Sequence, residues 1–142
     1  MLVFALACIA AQCVLAFDNG LAREPPMGWN SWNCFGSGVS AADLMTTADV
    51  FVSSGLRDAG YSFVISDDGW MAGRNATTGE MLADPIKFPG GWPPLVDYIH
   101  SKGLKVGLYS AASSVVCSGR VGSLYNEFLD AATFASWGID YV

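Results

Sequence analysis

Short apolar runs alternating with amphipathic stretches constrain this 142-residue chain more than any single residue does. Phe63, Val64 and Ile65 are aromatic or β-branched with no polar alternation, which predicts a parallel strand covered on both faces. A similar run spans Leu104 to Tyr109, a shorter one follows Met27, and Ile139–Val142 starts a fourth. Between them lie helical patterns. Ser40 with Asp43 makes a capping box ahead of Leu44, Ala48, Phe51, Val52 and Leu56, predicting a helix from Ala41 to about Asp58. Leu95, Val96, Ile99 and His100 predict a short second helix closed by Lys102 and Gly103. Ser123 to Trp137 predicts a third, with Phe128, Leu129, Ala132, Phe134 and Ala135 as its apolar face. Strand and helix in alternation mean right-handed βαβ units and a parallel sheet.

Two architectures fit that pattern, a (β/α)8 TIM barrel and a doubly wound open sheet. The first strand is followed by neither G-x-G-x-x-G nor G-x-x-x-x-G-K, so the usual nucleotide fingerprints are absent. Polar and aromatic residues instead stand at the C-terminal ends of successive strands: Trp32, then Asp67 with Asp68, then Tyr109. Barrel enzymes build their sites there. A closed barrel takes about 250 residues, so the expectation is an α/β chain holding the first three to four βα units of a (β/α)8 barrel. The chain divides into a signal peptide, residues 1–16, and the N-terminal part of a barrel domain, residues 17–142.

Charge and composition narrow the ligand. Thirteen acids against seven bases give a net charge of −6, which excludes the clustered Lys and Arg of a nucleic-acid groove. Aromatic residues make up 13% of the chain and five are tryptophan, which suits a neutral hydroxylated ligand. Indole faces stack on sugar rings while carboxylates accept from hydroxyls. Met1–Ala16 is apolar, ends in Val14-Leu15-Ala16 and is shorter than the roughly 20 residues of a membrane span. It reads as a cleaved secretory signal, so no membrane span is expected. Cys8 and Cys13 leave with it, and Cys34 and Cys117 remain in an oxidising compartment where they should pair or find partners. Asn75-Ala76-Thr77 is a glycosylation sequon on a long polar excursion from Met71 to Pro94. His100 is the single histidine and reads as structural; no metal site and no cofactor is expected.

In Tyr61–Trp70 the apolar run breaks into Asp67-Asp68-Gly69-Trp70. Side chains alternate across a strand, so the two acids can serve one pocket only if the backbone turns between them, and Gly69 supplies the freedom for that turn. A bare Asp-Asp is more often a solvated loop. Trp70 after the pair, and Trp29 and Trp32 upstream, favour a site; spacing alone does not say which of the latter two is core and which a sugar platform.

The motifs D-N-G-L-A, M-G-W-N-S-W-N, D-A-G-Y, D-D-G-W, A-D-P-I-K-F-P-G-G, H-S-K-G-L-K-V-G-L-Y-S and T-F-A-S-W-G-I-D-Y occur in order from Asp18 onward. Their order and spacing resemble the α-galactosidase (melibiase) family, glycoside hydrolase family 27. The resemblance implies a (β/α)8 domain followed by a β-sandwich, releasing terminal α-galactosyl groups with retention of configuration. It implies that Trp32 stacks on the sugar, that Asp67 and Asp68 accept from its 4- and 6-hydroxyls, that Tyr109 lines the pocket, and that Trp29 and Trp70 are packing residues. The family's nucleophile follows its fourth strand and its acid/base the sixth, so no catalytic residue is expected up to Val142, and the 142 residues alone should be inactive. Implied partners are α-galactoside oligosaccharides, glycolipids or glycoproteins, with a homodimer open for the full-length protein, in a secreted or lysosomal/vacuolar setting.

Some positions depart from the pattern. Ser37 and Gly69 stand where the family commonly has a disulfide pair, Ala111 stands where an acid is common, and the partner implied for Cys117 lies past Val142. An α-N-acetylgalactosaminidase would share every motif present, and a non-catalytic galactose-binding relative is the reading of another class.

Overall fold

The structure, a computed structural model, describes residues 20–21 and 23–142. The signal reading of Met1–Ala16, with Cys8 and Cys13, lies outside the described residues, as do Asp18, Asn19 and Ala22 of the first motif. Five strands are β1 (Gly28–Asn30), β2 (Phe63–Ser66), β3 (Met71–Arg74), β4 (Met81–Ala83) and β5 (Lys105–Leu108). Four α-helices are α1 (Trp32–Phe35), α2 (Ala41–Ser53), α3 (Pro93–Ser101) and α4 (Glu127–Ser136).

The alternation produces a parallel sheet in the order β1-β2-β5. Gly28 faces Phe63 so closely that a side-chain carbon there would fall 2.3 Å from the Phe63 carbonyl oxygen. The predicted fourth strand docks next in line: Tyr141 forms a parallel bridge to Gly107, and its carbonyl accepts from Leu108 N at 2.8 Å. Helix α2 packs on β2 and on α3, and α3 packs on β5. The core they enclose holds Leu44, Ala48, Phe51, Val64, Val96, Ile99 and Val106. In β2 only Val64 and Ser66 are fully buried, whereas Phe63 and Ile65 are half-buried, so one face of the strand is covered more completely than its sequence predicts for both.

Ser40 and Asp43 form the predicted reciprocal cap, with Asp43 Oδ2 accepting from Ser40 N at 2.9 Å. Helix α2 stops at Ser53 rather than Asp58. The Ser54 hydroxyl donates to the Val50 carbonyl at 2.6 Å and Gly55 turns left-handed at φ 80°, so the chain leaves the axis a turn early.

Two further elements differ from expectation. The excursion from Met71 is an antiparallel hairpin, β3 against β4, and not a structureless loop. Helix α4 starts at Glu127 and buries Asp130, Thr133 and Phe134, while Phe128 is 94% exposed. Its inner face is thus set by an acid. Arg74 of β3 makes this possible, donating to both Asp130 carboxylate oxygens at 2.6 and 2.7 Å. Phe134 and Trp137 then meet Trp70 edge-on, at centroid distances of 5.9 and 6.0 Å. His100 has the structural role expected, with Nε2 at 2.8 Å from Asp140 Oδ2, which also accepts from Val106 N.

Candidate functional site at the strand ends

Strand β2 ends at Ser66 and delivers Asp67 and Asp68 into a turn closed by Gly69, whose φ is 104°. A side-chain carbon at Gly69 would lie 2.4 Å from the Ser37 carbonyl oxygen, so two backbones touch where a bulkier residue could not fit. Lys87 secures the contact: its Nζ donates to Ser37 O at 2.6 Å and to Gly69 O at 2.8 Å. Arg120 donates to the Met71 carbonyl and lies 3.4 Å from Asp84 Oδ2.

The turn sends the two carboxylates to different partners. Asp67 Oδ2 accepts from Asn30 Nδ2 at 2.7 Å, its Oδ1 accepts from Asp68 N at 2.7 Å, and its own N–H donates to Ser31 Oγ at 2.9 Å. Asp68 is 1% exposed and accepts from Ser118 N and Ser118 Oγ, each at 2.7 Å. Each carboxylate oxygen has two acceptor sites, so one protein donor per oxygen leaves acceptor capacity unused.

Trp32 opens α1 directly after β1 and is 42% exposed, with its N–H donating to Asn30 Oδ1 at 2.9 Å. Trp29 is half-buried against Phe35, edge-on at 6.0 Å. Of the two indoles, Trp32 is thus the more exposed. Trp70 is fully buried and its Nε1 donates to the Tyr109 carbonyl at 2.9 Å, tying the turn to the end of β5. The Tyr109 phenol is pushed above its ordinary 10.0, first by burial, then by the Cys117 thiol 3.8 Å away, and then by the charges of Asp68 and Asp67. A neutral phenol beside two carboxylates can both donate and accept.

The structure thus brings Asp67, Asp68 and Tyr109 together and links Trp32 to Asp67 through Asn30. Cys117 stands at the rim, exposed; neither it nor Cys34 is in a disulfide. Asn75 lies apart, after β3 at the hairpin tip, where its Oδ1 accepts from Thr77 N and Thr78 N. Asn30, Ser31, Ser118 and Lys87 hold the candidate site together and are not marked out by residue type or spacing alone. Only Asn30 and Ser31 carried a signal, as polar residues between two tryptophans. No helix among the described residues is long and apolar enough to cross a membrane, and no group of three His, Cys, Asp or Glu among them could hold a metal ion.

Fold and strand-end chemistry put the chain in the class of α/β proteins that carry polar sites at the carboxyl ends of parallel strands. Residues 24–142 match the family described as Alpha galactosidase A, and the chain belongs to that family. It is 50% identical over 137 residues to a probable alpha-galactosidase of Dictyostelium discoideum, covering 96% of this chain and 35% of that protein. Alpha-galactosidase I of Mortierella vinacea superposes with a TM-score of 0.84 at 48% identity, covering 88% of this chain and 32% of that one. The alpha-galactosidase of Saccharomyces cerevisiae, solved with raffinose, gives 0.83 at 41% identity, over 87% and 28%. The chain spans about a third of the length of these relatives.

Proposed function

We propose that the complete protein is an α-galactosidase and that this chain is the sugar-holding N-terminal part of its (β/α)8 domain. The observation that carries the reading is the divergent pair at the end of β2: two carboxylates, held by separate partners, beside the neutral phenol of Tyr109, with the exposed residue Trp32 linked to Asp67 through Asn30. Ionised carboxylates only accept hydrogen bonds, and a polyol offers only hydroxyls to donate. In this reading Trp32 stacks on the ring, Asp67 and Asp68 take the 4- and 6-hydroxyls of galactose, and Tyr109 closes the wall. An acceptor placed for the axial 4-hydroxyl is left unpaired by the glucose epimer, which discriminates by orders of magnitude.

Asp67 and Asp68 bind and do not cleave. Retaining hydrolysis needs two carboxyl groups about 5 to 5.5 Å apart on opposite sides of the anomeric carbon, and adjacent residues whose side chains leave toward different elements do not form such a pair. The nucleophile and the acid/base are assigned to sequence beyond Val142. The yeast relative's raffinose favours an oligosaccharide as substrate, with glycolipid and glycoprotein α-galactosides in the same chemical class.

Secretion or delivery to a lysosome or vacuole follows from reading Met1–Ala16 as a signal. Asn75 is assigned a glycan, since its Oδ1 is engaged while Nδ2 is left for the sugar. Cys117 is assigned a disulfide to a later cysteine. The test is hydrolysis of p-nitrophenyl α-galactoside by the complete protein, beside the corresponding N-acetylgalactosaminide. The galactoside is expected to be preferred, with Asp67→Ala lowering turnover at least about tenfold through a lost charge-assisted bond. Preference for the acetamido sugar, or normal turnover in Asp67→Ala, contradicts the reading.

A further inference from the structure

We infer that Asn30 is a positioning residue of the sugar site, a single amide that fixes the aromatic platform Trp32 and the acceptor Asp67 relative to each other; the inference rests on the galactoside reading above. Asn30 is the last residue of β1 and stands in register with Ile65 of β2, two residues before Asp67. Its Oδ1 accepts from Trp32 N at 2.9 Å and its Nδ2 donates to Asp67 Oδ2 at 2.7 Å. One amide orientation alone satisfies both partners, because a backbone N–H cannot accept and a carboxylate cannot donate. The next residue completes the grip. Buried Ser31 accepts from Asp67 N at 2.9 Å, and Ser31 N donates to Ile65 O at 3.0 Å.

The arrangement orients Asp67 without using up its capacity. Asn30 occupies one acceptor site on Oδ2, Asp68 N occupies one on Oδ1, and each oxygen retains a second site for a hydroxyl. Asn30 Nδ2 likewise keeps one N–H. Stacking on Trp32 sets where the ring lies, and the direction of the Asp67 carboxylate sets which hydroxyl it meets. Binding energy is realised only when both are correct at once, and the Asn30 amide is the side chain that bonds both the Trp32 backbone and the Asp67 carboxylate. A misaligned acceptor loses most of its hydrogen-bond energy, since bonds weaken steeply away from linearity.

Two substitutions separate the two bonds. Asn30→Asp keeps the oxygen that accepts from Trp32 N and replaces the donor to Asp67 by a second acceptor. Asn30→Leu removes both. With the complete protein, KM and kcat are measured on p-nitrophenyl α-galactoside and on its 4-deoxy and 6-deoxy analogues, with thermal melting as the check on folding. Asn30→Asp is expected to raise KM roughly tenfold or more with kcat little changed, the scale of a hydrogen bond to a charged group. That loss should vanish on the one analogue lacking the hydroxyl that Asp67 accepts. Asn30→Leu should add a loss common to all three substrates through Trp32.

If Asn30→Asp fails to fold, Asn30→Ala, which removes both side-chain bonds without adding charge, must show the same analogue-dependent loss. Equal losses on all three substrates in a folded Asn30→Asp or Asn30→Ala protein, or no loss, would overturn the inference while wild-type turnover leaves the galactoside reading intact. A wild-type protein that turns over no galactoside overturns both.

Discussion

Replacing one partner of the Arg74–Asp130 pair tests how the hairpin is held against the site's supporting helix. The pair is bidentate, at 2.6 and 2.7 Å, with side chains 19% and 2% exposed. Arg74 also donates to Gly79 O at 3.0 Å and to Gly122 O at 2.8 Å, so its guanidinium joins β3, the hairpin tip, the loop before α4 and α4 itself. Removing one member of a buried pair leaves an uncompensated charge at about 3–5 kcal/mol. The two ends differ in what they leave behind. Asp130→Ala leaves a guanidinium that retains some solvent and two carbonyl acceptors, so about 3 kcal/mol is expected. Arg74→Met leaves a carboxylate sealed in the core, and about 4–5 kcal/mol is expected. The double variant Arg74→Met/Asp130→Leu, which buries no charge, should be more stable than either single one. The assay is urea denaturation followed by tryptophan fluorescence, since Trp70 lies against α4 through Phe134. Single variants within about 0.5 kcal/mol of wild type, the scale of a surface pair, would refute the reasoning.

Two further outcomes follow from the turn itself. Gly69→Ala places a carbon against the Ser37 backbone at a φ of 104°, so it should cost at least about 3 kcal/mol, measured as a lower soluble yield and melting temperature. Tyr109 has its phenol raised above 10.0, chiefly by burial, so its contribution to stability is fully present below the unfolded value near 10 and is lost as pH rises through the higher folded value. Absorbance titrations of the complete protein and of its Tyr109→Phe variant should differ by one tyrosine that ionises late.

Local chemistry was legible where the signal lies within a few residues. The Ser40–Asp43 cap and the turn at Gly69 both depend on neighbours in sequence, and both form as read. The order of the parallel strands followed from the alternation of elements. The hairpin did not, because β3 and β4 are short and lie among Gly73, Asn75 and Gly79, residues that equally mark an irregular loop. The inner face of α4 is not legible in sequence, because Asp130 looks polar until Arg74, 56 residues earlier, is placed beside it; the pattern selects Phe128, which lies outside. The candidate site shows the same division. Asp67, Asp68, Trp32 and Tyr109 announce themselves by type and by position at strand ends. Ser31 and Ser118, which bind the two acids from 36 and 50 residues away, are ordinary serines until the fold brings them there.

The most direct test of the central claim, that the end of β2 and its neighbours hold galactose, is a fluorescence titration of the complete protein with D-galactose and with D-glucose. Trp32 is 42% exposed and is the proposed sugar platform, so galactose should give a saturable change in tryptophan emission, glucose should give none at the same concentrations, and Asp67→Ala should abolish the response. An equal response to glucose, or an unaltered galactose response in Asp67→Ala, would contradict the account.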